Sequence, residues 1–325
     1  MVLLLALLLA MIGSAGAQQP APTLVPPTLV PSGQGGGAED FILTQSAVDR
    51  ILRNNRVRVG VLYNEPPFGE LNIRGEIIGF DADLARAMAE TWGVELRLRQ
   101  VTRQTAEDML DRGAVDMIIA AQVHYREFDG LYEFSQTYHL SSQVMMVRAD
   151  DPAKTLGEMA GRRVGVVIGT SAEQALDAFM ARSGISFQIE RFLTRDRLYA
   201  GLRTNLVDGI VASQHRLLRA ASAEPDLTRF IEEPIELEPY VIAMQRQDIN
   251  MRNLVNKTLQ FLQRSGKLAE IRQVHFPDVT YDDLAVWDGL AEEAPKPTDF
   301  TAAVTFPQQY ILPRIQSDRT LRVAG

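Results

Sequence analysis

The chain has 325 residues and 46% of them are hydrophobic, which suffices for a well-buried core in one large domain or in two to three smaller ones. Its formal net charge is −8, with no block of Lys and Arg able to track a phosphate backbone, so nucleic acid is not expected as a partner. Cysteine is absent, which excludes a disulfide framework, a thiolate metal site, a cysteine nucleophile and a lipid-anchored mature N-terminus.

Val2 to Ile12 is an unbroken apolar run, followed by Gly13, Ser14 and the small triplet Ala15-Gly16-Ala17. Residues 1–17 therefore read as a signal peptide cleaved after Ala17, although the usual basic residues ahead of the run are missing. The run is shorter than the roughly 18 apolar residues of a membrane-crossing helix, so no transmembrane span is expected in the mature chain. Residues 18–39, with Pro20, Pro22, Pro26, Pro27, Pro31 and the Gly35 to Gly37 run, cannot bury a core and read as a semi-extended linker.

Asp40 is placed to cap a helix reaching Asn54. Val57 to Leu62 predicts a buried strand, Asn64-Glu65-Pro66-Pro67 a turn, and Asp81 to Trp92 a helix with Leu84, Ala85 and Met88 toward a sheet. Leu96 to Val101 predicts a second strand, Ala106 to Arg112 a short helix and Met117 to Ala120 a third strand. A second series begins at Arg163, with a strand to Ile168, the loop Gly169-Thr170-Ser171 and a helix from Ala172 to Arg182. It continues as strand Phe187 to Phe192, helix Arg195 to Thr204 and strand Val207 to Ala212. Alternating strands and helices imply two α/β lobes on mostly parallel sheets. Val144 to Val147 and Tyr240 to Met244 are apolar and strand-like and read as the two crossovers of a hinge, and Leu254 to Val274 as a terminal amphipathic helical region. The folded unit spans residues 40–290, with lobe 1 at 40–146 and 238–290 and lobe 2 at 147–237. In open α/β sheets small ligands sit beyond the carboxyl ends of the strands, so the loops after Leu62, Ala120, Ile168 and Ala212 are expected to face one another across a cleft.

Six segments in this order carry a resemblance. They are Val57 to Val61 with Pro66-Pro67-Phe68; Gly79-Phe80-Asp81-Ala82-Asp83-Leu84-Ala85; Val115 to Ala120; Glu133-Phe134-Ser135 with Tyr138; Gly169 to Glu173; and Ser265 to Ile271. Over about residues 50–276 the chain resembles the bacterial amino-acid-type (family 3) extracellular solute-binding proteins of ABC transporters. The resemblance implies the type II periplasmic binding protein fold, a two-lobed α/β clamp of two mixed sheets flanked by helices and joined by a two-strand hinge. It also implies an extracytoplasmic monomer that closes on a small-molecule ligand and delivers it to a transmembrane permease, with no cofactor and no catalysis.

Carried over position by position, the resemblance makes Phe80 the aromatic packed on the ligand and Phe68 the aromatic at the strand end beside it. Thr170 and Ser171 open a lobe 2 helix whose free amides and dipole favour an anion. Ala121 matches a position that offers its backbone carbonyl to a ligand amine. Three departures stand out. Val123 replaces a usual hydroxyl residue, Phe128 replaces the arginine that grips a carboxylate, and Ser213 replaces the acid that pairs with an ammonium. Arg126, two residues before Phe128, can substitute for that arginine only if the loop is reshaped, and otherwise is a solvated loop residue. Glu65, where the family is commonly aromatic, suits a cationic or amine-bearing solute, or else points to solvent or caps the turn before Pro66.

Two rival readings stand beside this one. A dehydratase-type enzyme on the same fold would draw its acid and base from Glu65, His124 and His215. A sensory or structural module in a tandem protein is suggested by residues 291–325, an acidic, Pro-containing linker ending in Ile315 to Gly325. That ending is similar to Ile51 to Gly60 and reads as the start of a second copy.

Overall fold

The chain is known from a computed structural model that describes residues 45–277 and 293–301. The expected signal peptide, the 18–39 linker, the helix start at Asp40 and the repeat-like Ile315 to Gly325 lie outside the described residues.

In chain order lobe 1 begins with helix α1 (Ala47–Asn54), strand β1 (Arg56–Leu62) and three short strands, β2 (Asn64–Glu65), β3 (Gly69–Leu71) and β4 (Ile77–Ile78). Helix α2 (Phe80–Trp92), β5 (Glu95–Val101), α3 (Ala106–Asp111), β6 (Met117–Val123) and β7 (Tyr132–Phe134) follow. The chain leaves on β8 (His139–Arg148) and builds lobe 2 from β9 (Arg163–Val167), α4 (Ser171–Ser183), β10 (Gln188–Phe192), α5 (Arg195–Arg203), β11 (Gly209–Ser213), α6 (Gln214–Ala223) and β12 (Thr228–Phe230). It returns on β13 (Glu236–Gln245) to α7 (Ile249–Arg264) and α8 (Lys267–His275). Gly266, at φ 78°, separates the last two helices. Helix α1 starts at Ala47, because Ser46 accepts from the Val48 amide at 3.1 Å while the buried Asp248 takes the Ser46 hydroxyl and the Ala47 amide, both at 2.6 Å.

Lobe 1 orders its strands β13-β6-β1-β5 and lobe 2 orders them β8-β11-β9-β10, each with a parallel core of three. The odd positions Val57, Val59 and Val61 of β1 feed one core layer while Leu62 and Val101 feed the layer on the other face. Both faces are covered along β6 and most of β1, which is why Val59 to Leu62 and Met117 to Ala121 are written in apolar residues and glycine. The two sheets are one by hydrogen bonding, because β8 and β13 pair with each other antiparallel before each enters its own lobe.

That pairing runs over His139 to Gln143 and Glu236 to Tyr240, a few residues ahead of the expected hinge crossovers. The apolar stretches Val144 to Val147 and Tyr240 to Met244 are the parts of these strands already inside a lobe core. The crossing itself is polar. Pro297–Phe300, expected within a linker, forms a 3-10 turn against α1 and α7, with Phe300 packed on the lobe 1 core.

Each lobe repeats one clamp. Asp116, just before β6, accepts from the Arg58 amide at 2.9 Å, Nε at 3.1 Å and Nη2 at 2.7 Å. Asp208, just before β11, accepts from the Arg163 amide at 3.1 Å, Nε at 3.2 Å and Nη2 at 2.9 Å. The clamps fix the register of the central parallel strands and so the height at which their carboxyl ends stop. Asp116 is only 2% exposed at its side chain against 18% for Asp208, so removing it leaves the larger uncompensated polar burial. Asp116→Ala is expected to cost about 3 kcal/mol in urea unfolding. Asp208→Ala is expected to cost less, and the reverse order would show that the lobe 2 clamp is the more buried in solution.

Candidate functional site

The carboxyl ends of β1, β6, β9 and β11 meet between the lobes, and the loop after β1 is set first. Gly79 holds φ 125°, and a Cβ there would lie 2.4 Å from the Phe68 carbonyl oxygen. Glycine at this position lets the Phe80 and Asp81 amides reach the carbonyls of Pro67 and Phe68 at 2.9 and 3.0 Å. The loop is thereby pinned on the start of α2, and Glu65 is carried to the cleft.

Glu65 is buried there against lobe 2. Its Oε1 accepts from Arg216 Nε at 2.9 Å and also contacts Arg216 Nη2, while His215 Nε2 stands at 3.5 Å. Burial alone would raise the Glu65 carboxyl; the hydrogen bond from His215, the charge and hydrogen bond of Arg216 and the charge of Arg103 overcome it and bring it to about 2. We assign the larger share to Arg216, since 3.5 Å is at the limit of hydrogen bonding. Burial also holds His215 below its ordinary value and so neutral near pH 7. The interlobe contact is therefore an ion pair between Glu65 and Arg216, backed by the edge of Phe68 on the His215 ring at 5.0 Å.

Behind the cleft Phe80 and Phe68 are both fully buried. Phe80 stacks on Tyr138 at 6.0 Å and Phe68 meets Tyr240 and His139, each at 5.2 Å. Asp81 sits under this cluster, accepting from the Tyr138 hydroxyl and the Ala121 amide, each at 2.9 Å. Burial pushes Asp81 up to about 7 against these two hydrogen bonds and the Arg103 charge. Ala121 adopts φ 44°, a left-handed conformation that costs an L-residue roughly 1–2 kcal/mol and that the Asp81 bond helps to hold.

Gln143, fully buried on β8, ties the hinge to lobe 2. Its Nε2 donates to Ser171 Oγ at 3.1 Å, Ser213 Oγ at 3.0 Å and Glu238 Oε1 at 2.8 Å. Thr170 turns its hydroxyl to the Val167 carbonyl at 2.7 Å, and Ser171 opens α4. Val123 is half-buried against the lobe 1 core, opposite Tyr240. Arg126 is exposed on the turn after β6 and is absent from the charges acting on the cleft carboxyls.

The cation near those groups is Arg103, two residues beyond β5, whose Val101 pairs with Leu62. Its loop is braced by Thr102 and Thr105, whose hydroxyls accept from each other's amides at 3.2 and 3.0 Å. The sequence reading missed Arg103, Gln143, Arg216 and Glu238; Arg216, three residues after Ser213, was the nearest to being found. His124 is paired with Asp129 at 2.6 Å. It borders a hollow of about 790 Å³ in lobe 1, with Glu133, Arg252 and Arg272 on its wall. A second, small hollow of about 20 Å³ lies within lobe 2, beside Ser171, Ser213 and Arg216. The lobes touch through Glu65 and Arg216.

Two α/β lobes on crossed hinge strands, with strand ends converging on a polar cleft, define a type II periplasmic binding protein. The sequence profile of the bacterial extracellular solute-binding proteins, family 3, matches residues 57–278, and the chain belongs to that family. The L-cystine-binding protein TcyJ of Escherichia coli (strain K12) is 22% identical over 73% of this chain and 88% of its own length. The membrane-bound lytic murein transglycosylase F of Desulfosudis oleivorans is 27% identical over 73% of this chain, which spans only 50% of that protein. An ancestral arginine-binding protein bound to arginine superposes with a TM-score of 0.53 at 26% identity, covering 68% of this chain and 98% of that one. The L-cystine solute receptor of Neisseria gonorrhoeae, in its unliganded open conformation, has a TM-score of 0.63 at 16% identity, covering 74% of this chain and all of that one. Among the described residues no helix is long and apolar enough to cross a membrane.

Two outcomes follow from the buried acids. Asp81 binds its proton more tightly folded than unfolded, so its contribution to stability falls as pH rises from about 4 to about 7. Asp81→Asn removes the titration; its oxygen can accept from the Ala121 amide while its NH2 donates to the Tyr138 oxygen. Relative to wild type its melting temperature should rise progressively over that interval, and a constant difference would show Asp81 to be ionised throughout. Glu65→Gln removes the charge that holds Arg216. The variant's radius of gyration in small-angle scattering, without added solute, should exceed that of wild type; equal radii would mean that other contacts keep the lobes together.

Proposed function

We propose that the protein works outside the cytoplasmic membrane, exported on Val2 to Ala17, as a solute-binding protein. It captures a small amino acid or related amine-bearing solute between its lobes and delivers it to the permease of an ABC transporter. The observation that carries this reading is the meeting of both charge signs at the strand ends, with Glu65, Glu238, Arg103 and Arg216 drawn from lobe 1, the hinge and lobe 2. A zwitterion can pair with both signs at once, whereas a neutral sugar would leave buried charges short of partners.

In this reading Ser171, Thr170, Ser213, Ala121 and Glu65 face the solute, with Val123 and Arg126 at the mouth. Phe80 and Phe68 support the wall from behind. Glu65 and Arg216 already span the cleft, so capture requires the lobes to part, and a solute that then bridges them replaces Glu65–Arg216 as the closing contact. In this reading Glu65, engaged by Arg216, serves binding and closure rather than catalysis.

The alignment with half of the transglycosylase supports a second reading, a sensory or structural solute-binding-like module of a larger protein. A thermal-shift screen of L-amino acids, cystine and simple amines separates the two. At least one compound should raise the melting temperature by several degrees, since a ligand at 100 times its Kd adds about 2.7 kcal/mol. No shift with any of them would favour the module.

A further inference from the structure

The acid expected to receive an ammonium is Ser213 in this chain, yet the position is not left without an acceptor. In the ladder Gln143 stands opposite Ser213 on one side and opposite Glu236 on the other, which brings Glu238 diagonally onto its face. The Gln143 side chain spends Nε2 on Ser171, Ser213 and Glu238. An amide nitrogen carries only two hydrogens, so three acceptors share them. The other end of the amide, Oε1, is buried and has no hydrogen-bond partner among the described residues. The orientation of the amide is fixed by the Glu238 carboxylate, which can only accept from a nitrogen. A buried carbonyl oxygen without a donor bears the full cost of its lost hydration, a standing penalty at the centre of the hinge.

Glu238 is itself unusual, a carboxyl 3% exposed with no cation hydrogen-bonded to it, held by Gln143 and by the Tyr240 hydroxyl at 3.4 Å. Burial raises it; the Gln143 hydrogen bond opposes this, the Glu236 charge adds to it, and the Tyr240 hydroxyl and the Arg103 charge oppose it. A desolvated acid, an orphan carbonyl and two serine hydroxyls thus meet where β8, β11 and β13 run side by side. The cluster is rich in acceptors and short of hydrogens.

We propose that Gln143 and Glu238, both on hinge strands, form the subsite for the ammonium group of the bound solute, with Ser213 as its third oxygen. The inference rests on the amino-acid reading above. A primary ammonium brings three N–H donors and one positive charge. It satisfies Gln143 Oε1, pairs with Glu238 and leaves one donor for Ser213. The acid that the lobe 2 strand end lacks is supplied by the hinge, so ligand charge acts on the strands that must bend for the lobes to close.

Calorimetry with L-arginine, L-glutamine, L-histidine and L-cystine, each beside its des-amino analogue, tests this on the full chain. Wild type should bind at least one amino acid tenfold or more tighter than the analogue. In Glu238→Gln and in Gln143→Met, each checked by its melting curve, that ratio should fall to about threefold or less, whatever change the affinity for the analogue itself shows. The two variants act on different strands, so a folding defect in one leaves the other as the test. A ratio kept at the wild-type value in either folded variant, or no discrimination by wild type, overturns the subsite. Absence of binding by wild type to all four amino acids overturns the amino-acid reading itself and the subsite with it.

Discussion

Everything in this molecule depends on two antiparallel strands that cross between the lobes side by side. Because β8 and β13 pair before they part, neither lobe can turn without bending both, and the strand ends of the two lobes are obliged to face one another. The price of that arrangement is polar burial at the crossing. Gln143, Glu238, Ser141 and Ser142 are all buried there, and their hydrogen bonds reach into lobe 2 as well as along the hinge.

The central parallel strands were legible because they are buried on both faces, and Val59 to Leu62 or Gly209 to Val211 are written in apolar residues and glycine. The Arg–Asp clamps hold these strands from polar positions at their ends, which periodicity does not register. The hinge was misplaced for the same reason. A crossing made of Ser141, Ser142, Gln143 and Glu236 looks like a loop in sequence, while the apolar continuations of its strands look like the crossing. Helix α6 escaped notice because it begins Gln214-His215-Arg216, residues that serve the cleft rather than a core.

The site shows a related limit. The resemblance pointed to loops carrying Glu65, which meets Arg216 of lobe 2, and Ser171 and Ser213, which share Gln143 as donor. It could say that an arginine and an acid were missing from their usual places but not where charge had been restored. Arg216 lies beside an expected position, whereas Arg103 and Glu238 come from elements that the resemblance gave no role. Electrostatic complementarity constrains the sum of charges around a small solute more tightly than the strand from which each is drawn.

The docking of the 297–300 turn beside α1 has a mechanical side. Helix α1 and that turn both seat on lobe 1, so both ends of the described chain converge there. Lobe 2 is reached only through the paired hinge strands. Tension applied between the two ends would load α1, α7 and the turn in shear and leave the hinge slack, and a drag on lobe 2 alone would open the clamp. Lobe 1 is in this sense the stator and lobe 2 the rotor, with the Glu65–Arg216 contact as the detent between them.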